Sequence, residues 1–345
     1  MVVYPYTGEN LIIMNKPKFI IIAGTGFSAS TPLWYTLQVQ NKFVHGGLNK
    51  EDHYLDSIAI PPYLRFKKKL NINKETKSYT SSSKARIIRN SRTDNFKRKS
   101  ISYRKRIPEV KNDIFFTQEE LDEYKSYPFT LDKYITYYKK HWKHLQENNC
   151  PYQGVGDFSN SNAWLPQEFC YKVVDKLSED FDVKVLLIVR DPIRRLWSKI
   201  GGYWDPDSPR QWNNIEEYKK MFFDHVKGGD LPYLQILEKW EKVAPTHVII
   251  MEQLWEGDEQ EREKQRLSDF LDYDIKNIHE NVYCPDRGPN APKHLGLKDQ
   301  WSSDKYWLSD ELYNQVLPLM SIYQQWVDRY GSLPLYWGKP YNYEV

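Results

Sequence analysis

Residues 19–37 read FIIIAGTGFSASTPLWYTL and predict a buried strand, a tight loop and a helix in succession. The loop, residues 24–31, is rich in glycine and hydroxyl side chains. Pro32 suits the first position of a helix, and Thr31 is its predicted N-cap. Backbone N–H groups in such a loop, together with a helix N-terminus, favour a bound anion. The stretch therefore predicts a phosphate- or sulfate-binding loop, with a purely structural turn as the alternative.

Two common nucleotide-binding motifs share features with this loop. A Walker A loop ends in Gly-Lys-Ser/Thr, and the absence of a lysine from residues 29–31 disfavours an ATPase or kinase of that type. The dinucleotide fingerprint G-x-G-x-x-G/A matches at Gly24, Gly26 and Ala29, but it also needs an acidic residue ending a second strand about 20 residues on. Residues 41–47 predict no strand that ends in Asp or Glu. A Rossmann-type NAD(P)-dependent oxidoreductase stays open as an alternative.

The composition places most of the positive charge in one segment. The 345 residues suffice for one large domain or two small ones, and the formal net charge is only +3. Residues 65–106 nevertheless carry sixteen Lys and Arg against two acidic residues. We interpret the chain as a single domain, residues 1–345, with a basic insertion at about 61–110. The insertion suits an anionic partner such as an acidic glycan, while a solvated segment and a nucleic-acid surface are the alternatives.

The cysteine content and the N-terminus favour a cytoplasmic protein. The sequence has three cysteines, Cys150, Cys170 and Cys284. This number is small and odd, which disfavours a disulfide framework. The N-terminus lacks a signal-peptide pattern, and no apolar run approaches 18 residues. We therefore expect no membrane span, and the sequence predicts no metal site.

Strands and helices alternate along the rest of the chain. Residues 183–189 and 247–251 predict two more buried strands, and the second of these ends at Glu252. Thr117 and Glu120 form a predicted capping box at the start of a helix. Residues 154–162 predict a loop. The alternation predicts an α/β fold with a central parallel sheet flanked by helices.

Arg190 follows the second strong strand, at the edge where open α/β sheets bind ligands. The segment from Arg190 reads RDPIRRLWSKI, and Ser198 lies eight residues further along. A guanidinium group and a hydroxyl group at this edge would bind a phosphate. The alternative is a helix-starting turn with solvated arginines.

These two segments together resemble sulfotransferases that use 3′-phosphoadenosine 5′-phosphosulfate (PAPS). The 5′-phosphosulfate loop of that family runs G-x-x-K/R-S-G-T-T-x-L, and it matches here at Gly24, Ser28, Thr31 and Leu33. The family's R-x-P-x-x-R-x-x-S segment, which binds the 3′-phosphate, matches at Arg190, Pro192, Arg195 and Ser198. The loop departs from the pattern at one important position, where Phe27 replaces the basic residue.

The resemblance implies a P-loop-like three-layer fold and a set of nucleotide-binding residues. The expected ligands of the 5′-phosphosulfate are Gly26, Phe27, Ser28, Ala29, Ser30 and Thr31. Arg190 and Ser198 are expected to bind the 3′-phosphate. Residues 284–289 resemble a late loop that closes over the nucleotide, with Arg287 and Gly288 as the contacts.

The resemblance also implies the catalytic groups and the acceptor. Residues 50–56, KEDHYLD, are similar to the K-E-x-H-F-F-D segment of glycosaminoglycan-type sulfotransferases, in which the glutamate is the proposed base. Glu51 is therefore the expected general base, and His53 the second choice or an orienting group. Lys50 is a candidate for the charge missing at Phe27. The expected reaction is in-line sulfuryl transfer to a hydroxyl or amine of a glycan.

Residues 156–160 and 251–254 resemble two further family segments, G-E-K-T-P and E-D-L. Because Phe27 removes a cation that would stabilise the leaving group, a second alternative remains. In that alternative the chain is a nucleotide- or polyanion-binding protein without turnover.

Overall fold

The computed structural model describes about three fifths of the chain as an α/β fold. It describes residues 16–26, 28–47, 54–59, 115–126, 129–201, 220, 223–224, 226, 232–255, 259–279, 310–334 and 337, with only the backbone at 56–57, 125, 197–201 and 310–318.

Five parallel strands form one sheet at the centre of the described residues. They are β1 Lys18–Ile22, β2 Val44–His45, β3 Gly154–Asp157, β4 Asp182–Val189 and β5 Thr246–Ile250. Their order across the sheet is β2-β3-β1-β4-β5. Lys18 of β1 pairs with Gly154 on one side and with Asp182 on the other. Because all the strands run the same way, their carboxyl ends share one edge of the sheet.

Helices connect the strands. They are α1 Ser30–Trp34, which continues as a π-helical segment Tyr35–Gln40, α2 Tyr54–Ala59, α3 Gln118–Lys125, α4 Leu131–Glu147, α5 Gln167–Ser178, α6 Pro192–Gly201, α7 Tyr233–Glu241, α8 Met251–Trp255, α9 Gln260–Leu271 and α10 Asp310–Tyr330. A short 3₁₀ helix, Asn160–Trp164, follows β3. Within these ranges no helix is both long enough and apolar enough to cross a bilayer.

The sheet is buried on both faces, which makes the fold three-layered. Phe19 and Ile21 of β1 belong to a core shared with α4, α5 and α7. Ile20 and Ile22 belong to a second core shared with α1 and α9. All four side chains are fully buried, as expected for a continuous apolar strand in the middle of a parallel sheet. The prediction of an α/β fold with a central parallel sheet flanked by helices is confirmed.

The predicted capping box is present in the structure. Thr117 Oγ1 accepts a hydrogen bond from Glu120 N, and Glu120 Oε2 accepts one from Thr117 N. The two bonds satisfy backbone donors at the start of α3 that have no partner within the helix.

Two strands of the sheet are not predicted by the sequence patterns. Residues 154–162 were predicted as loop, yet Gly154–Asp157 forms β3. Val44–His45 forms β2 within residues 41–47, for which no strand was predicted. Both strands are short, and two of the four β3 residues are glycines with little intrinsic preference for a strand. Their pairing with neighbouring strands decides their conformation.

The start of α1 also differs from the prediction. The helix begins at Ser30, and Ala29 occupies the N-cap position with a left-handed backbone, φ 64° and ψ 26°. Thr31, the predicted N-cap, is therefore inside the helix. Left-handed geometry at a non-glycine residue is uncommon, so sequence preferences do not identify this turn.

Replacing Gly154 with alanine is expected to destabilise the sheet by about 3 kcal/mol, as overpacking of a rigid site does. A Cβ atom at Gly154 would lie 1.9 Å from the carbonyl oxygen of Lys18, so β1 and β3 would have to separate. Urea unfolding of the variant measures this loss. Gly26→Ala is the control, because a Cβ there meets no atom within 4 Å. Equal free energies of unfolding for the two variants would contradict the described register.

Candidate nucleotide-binding site

The loop after β1 lies beside the end of β4. Ile22 pairs with Leu186 in the sheet, and the next backbone amide, Ala23 N, donates to Leu186 O over 2.9 Å. A Cβ atom built on Gly24 would lie 3.6 Å from the Cβ of Ile188. The loop therefore leaves the sheet in contact with the strand that carries Arg190.

Two hydroxyl groups hold the loop in a compact turn. Thr25 and Ser28 are fully buried, and their side-chain oxygens lie 2.9 Å apart. Ala29 then turns the chain into α1, whose first residue, Ser30, is 5% exposed. The first N–H groups of a helix have no partner within it, so backbone donors at the start of α1 adjoin the loop. An anion site here stays a prediction.

Arg195 of α6 connects this loop to the segment after β4. Its Nε donates to the carbonyl oxygen of Gly26 over 3.0 Å, and the side chain is 4% exposed. The first turn of α6 is fixed by Asp191, whose carbonyl oxygen accepts a hydrogen bond from Arg195 N over 2.8 Å. The guanidinium is therefore held against the loop by a helix that starts at the end of β4.

Arg190 is almost buried and lies beside a buried carboxylate. Its Nε is 3.8 Å from Glu252 Oε1, and the side chains of Arg190 and Glu252 are 9% and 0% exposed. Glu252 is at the start of α8, directly after β5, which neighbours β4 in the sheet. Burial and the nearby Asp191 raise the pKa of Glu252 to about 7, although Arg190 acts in the opposite direction. The arginine and the carboxylate therefore depend on each other for charge balance.

A network of buried hydrogen bonds supports this pair. Glu252 accepts hydrogen bonds from Asp191 N and from the indole N–H of Trp337, both over 3.0 Å. Asp191 accepts from Arg194 N and from the hydroxyl of Tyr323, both over 2.9 Å. Two residues near the C-terminus thus help to fix the turn that carries Arg190.

The turn after β3 borders the same loop. The Oδ1 atom of Asn160 lies 3.5 Å from the position of a Cβ built on Gly24. Asp157 accepts hydrogen bonds from Ser159 N and from the hydroxyl of Tyr134, so its carboxylate has a structural role. Phe158 is fully buried in the core beneath α1. Phe158 aligns with the lysine of the G-E-K-T-P segment, and its buried side chain does not offer a polar group to a ligand.

A pair of buried histidines lies at the carboxyl end of β2. His45 Nδ1 accepts a hydrogen bond from Gly47 N over 3.1 Å and lies 2.8 Å from His141 Nε2. Because His45 Nδ1 already acts as an acceptor, we assign the proton between the rings to His141 Nε2. Burial lowers the pKa of His141 to about 3 and lowers that of His45 well below its usual range. Both rings are therefore neutral at physiological pH.

The structure brings together only part of the predicted site. Gly26, Ser28, Ala29, Ser30 and Thr31 belong to the described loop and the start of α1, and Arg190 directly follows β4, the strand that pairs with β1. The remaining predicted residues lie outside the described residues: Phe27, Lys50, Glu51, His53, Arg287, Gly288, the side chain of Ser198 and the insertion at 61–110. Their assignments stay predictions.

Two buried charged residues were not assigned to the site from the sequence. Arg195 was matched to a motif but was given no ligand, and Glu252 was matched to a segment without a role. Two signals were available in principle. Arg195 lies five positions after Arg190 at the start of a helix, and Glu252 lies two positions after the end of β5 in the same parallel sheet.

No protein-family model matches the chain, and no curated protein matches it. Within the described ranges, no group of three His, Cys, Asp or Glu side chains is arranged to hold a metal ion. The two motif segments and the contact between Gly26 and Arg195 are therefore the features from which a function can be inferred.

Proposed function

We propose that the protein transfers a sulfuryl group from PAPS to a hydroxyl or amine of an acceptor, with a glycan as the acceptor class. The proposal includes the P-loop-like assignment of the fold and the nucleotide sites at the loop and at Arg190. It is the function that accounts for both motif segments at once.

One observation carries the proposal: the loop after β1 is in direct contact with Arg195 of the segment that follows β4. Arg195 Nε lies 3.0 Å from Gly26 O, and Arg190 begins the same segment five residues earlier. Gly26 and Arg190 are 164 positions apart in the sequence. The two motifs were identified separately, so the contact between their segments is independent support for a shared nucleotide site. A nucleotide with phosphates at both the 5′ and 3′ positions requires two anion sites of this kind.

The strand order favours this proposal over a dinucleotide-dependent oxidoreductase. Dinucleotide-binding sheets place the second strand next to the first, in the order 3-2-1-4-5-6, so that an acid ending the second strand reaches the ribose. Here β3 lies between β1 and β2. The last residue of β2 is His45, a buried neutral side chain, where that alternative needs a carboxylate.

Sulfuryl transfer depends more on positioning the two substrates and on stabilising charge than on covalent catalysis. In-line transfer moves the sulfuryl group from the bridging oxygen of the 5′-phosphate to the acceptor oxygen or nitrogen, and the bond electrons stay on the phosphate. Buried arginines suit the growing negative charge, because a low local dielectric strengthens their effect. Glu51 is the proposed base that accepts the acceptor proton, with His53 as an orienting group and Lys50 as a further cation.

The direct test is transfer of label from ³⁵S-PAPS to a panel of acceptors. The panel should contain sulfated and desulfated glycosaminoglycans, neutral oligosaccharides and simple phenols. We expect labelled glycan with the wild-type protein and none with Glu51→Gln. Binding of the nucleotide without transfer to any acceptor would contradict the enzymatic proposal and favour a nucleotide-binding protein without turnover.

A further inference from the structure

Arg195 contacts the loop at Gly26, the residue that precedes Phe27 in the sequence. Its guanidinium donates to the carbonyl oxygen of Gly26, and the next residue along the chain is Phe27. The side chain is 4% exposed, and arginine keeps its charge even when buried. A permanent positive charge is therefore fixed within hydrogen-bond distance of the loop backbone.

The charge of Arg195 acts on the interior of the loop. Burial raises the pKa of the Tyr233 hydroxyl, while the charge of Arg195 and a hydrogen bond with Thr25 lower it. Tyr233 also donates to the carbonyl oxygen of Arg190 over 2.8 Å. Arg195 thus influences a group that contacts both the loop and the Arg190 turn.

The loop has free space at the Cβ position of Gly26, the residue whose carbonyl oxygen Arg195 contacts. A Cβ atom built on Gly26 would meet no atom within 4 Å, whereas one built on Gly24 would lie 3.5 Å from Asn160 Oδ1 and 3.6 Å from Ile188 Cβ. The Gly24 end of the loop is therefore packed against the sheet, whereas a side-chain position at Gly26 is free of neighbours. An anionic group has room to approach at Gly26.

We propose that Arg195 binds the 5′-phosphate end of the nucleotide and supplies the positive charge that Phe27 does not. The proposal rests on the function proposed above, and it gives the two arginines of one segment different ligands. Arg190 binds the 3′-phosphate, while Arg195 acts at the loop. Phe27 is tolerated because the charge comes from α6.

The test is calorimetric titration with two nucleotides that differ only in the 5′-phosphate. These are 3′-phosphoadenosine 5′-phosphate (PAP) and adenosine 3′-phosphate. Arg195→Gln should weaken the binding of PAP by about 10- to 100-fold, the effect of losing a hydrogen bond to a charged group. Its effect on adenosine 3′-phosphate should be less than about threefold. Equal losses for the two nucleotides, or no loss for PAP, would overturn the proposal.

Two lysine variants separate charge from structure. Arg195→Lys keeps the charge, and adding Phe27→Lys to Arg195→Gln restores a cation from the loop itself. Each should recover most of the PAP affinity. If neither does, the effect of Arg195→Gln arises from the lost bond to Gly26, and the assignment of charge to Arg195 is wrong.

The experiment also distinguishes this inference from the function on which it rests. A wild-type protein that binds neither nucleotide contradicts the proposed function before any variant is compared. If Arg195→Gln does not fold, Phe27→Lys alone replaces it. The extra cation should tighten PAP and leave adenosine 3′-phosphate unchanged, and an unchanged PAP affinity would count against an anion site at Gly26.

Discussion

Replacing Arg190 with glutamine should weaken PAP binding by about 100-fold, the result of losing two charge-assisted hydrogen bonds of about 1.5 kcal/mol each. Arg190 directly follows β4, whose neighbour β1 leads into the loop, and a guanidinium binds a phosphate through two parallel N–H groups. Calorimetric titration of the variant with PAP measures the loss. The control is Arg329→Gln, because Arg329 pairs with Glu241 through partly exposed side chains.

The same substitution leaves Glu252 without its cation. Breaking a buried ion pair on one side costs about 3–5 kcal/mol, but a carboxyl whose pKa is already about 7 can take up a proton and reduce that cost. Arg190→Gln/Glu252→Gln removes both charges and should regain stability without regaining PAP affinity. If the double variant binds PAP as the wild-type protein does, Arg190 is not a phosphate ligand.

Acidification should destabilise the protein through the buried histidine pair. Both His45 and His141 have a pKa below the usual value in the folded state, so the unfolded chain binds more protons once the pH falls below about 6.5. Stability is therefore present at neutral pH and is lost as the pH falls. At pH 5 His141, with its pKa of about 3, costs about 2 kcal/mol, and His45 acts in the same direction.

Glu252 acts in the opposite direction over part of this range. Its pKa is raised to about 7, so the folded state holds a proton that the unfolded carboxyl, with its ordinary pKa of 4.5, does not. The raised pKa of Glu252 therefore stabilises the folded state by about 2 kcal/mol at pH 5. His247, whose pKa burial lowers to about 4, adds to the loss. The wild-type protein should therefore be less stable at pH 5 than at pH 7.

His141→Gln isolates the contribution of one histidine. The glutamine amide can still donate to His45 Nδ1, but it does not titrate. Urea unfolding at pH 7, 6 and 5 measures the free energy of unfolding. Between pH 7 and pH 5 this free energy should fall by about 2 kcal/mol less in the variant than in the wild-type protein. His144→Gln is the matched control, since His144 lies one helical turn away and outside the pair. Equal pH dependence in the wild-type and His141→Gln proteins would contradict a buried neutral pair.

The part of the fold that follows from the sequence is the part with strong local patterns. The apolar runs of β1 and β4 have no competing interpretation, and the capping box at Thr117 satisfies its own backbone donors. The strand β3 is different, because the residues GVGD become a strand only through pairing with β1 and β2. The left-handed turn at Ala29 likewise depends on contacts that no local preference encodes.

The candidate site likewise contains residues that local patterns predict and residues whose contacts depend on the strand order. The location of Arg190 can be predicted, because a residue that follows a buried parallel strand lies at the carboxyl edge of the sheet, where ligands bind. Glu252 reaches Arg190 only because β5 pairs with β4, and Arg195 reaches Gly26 only because β4 pairs with β1. The sequence contains those residues but not the strand order, so their partners were not predictable.

The central claim is that the loop and the Arg190 segment bind one nucleotide with phosphates at both ends. Calorimetric titration of the wild-type protein with PAP and, separately, with NAD tests that claim most directly. We predict saturable binding of PAP with a stoichiometry of about one, as a single joined site requires, and no binding of NAD. Binding of NAD without binding of PAP would contradict the account.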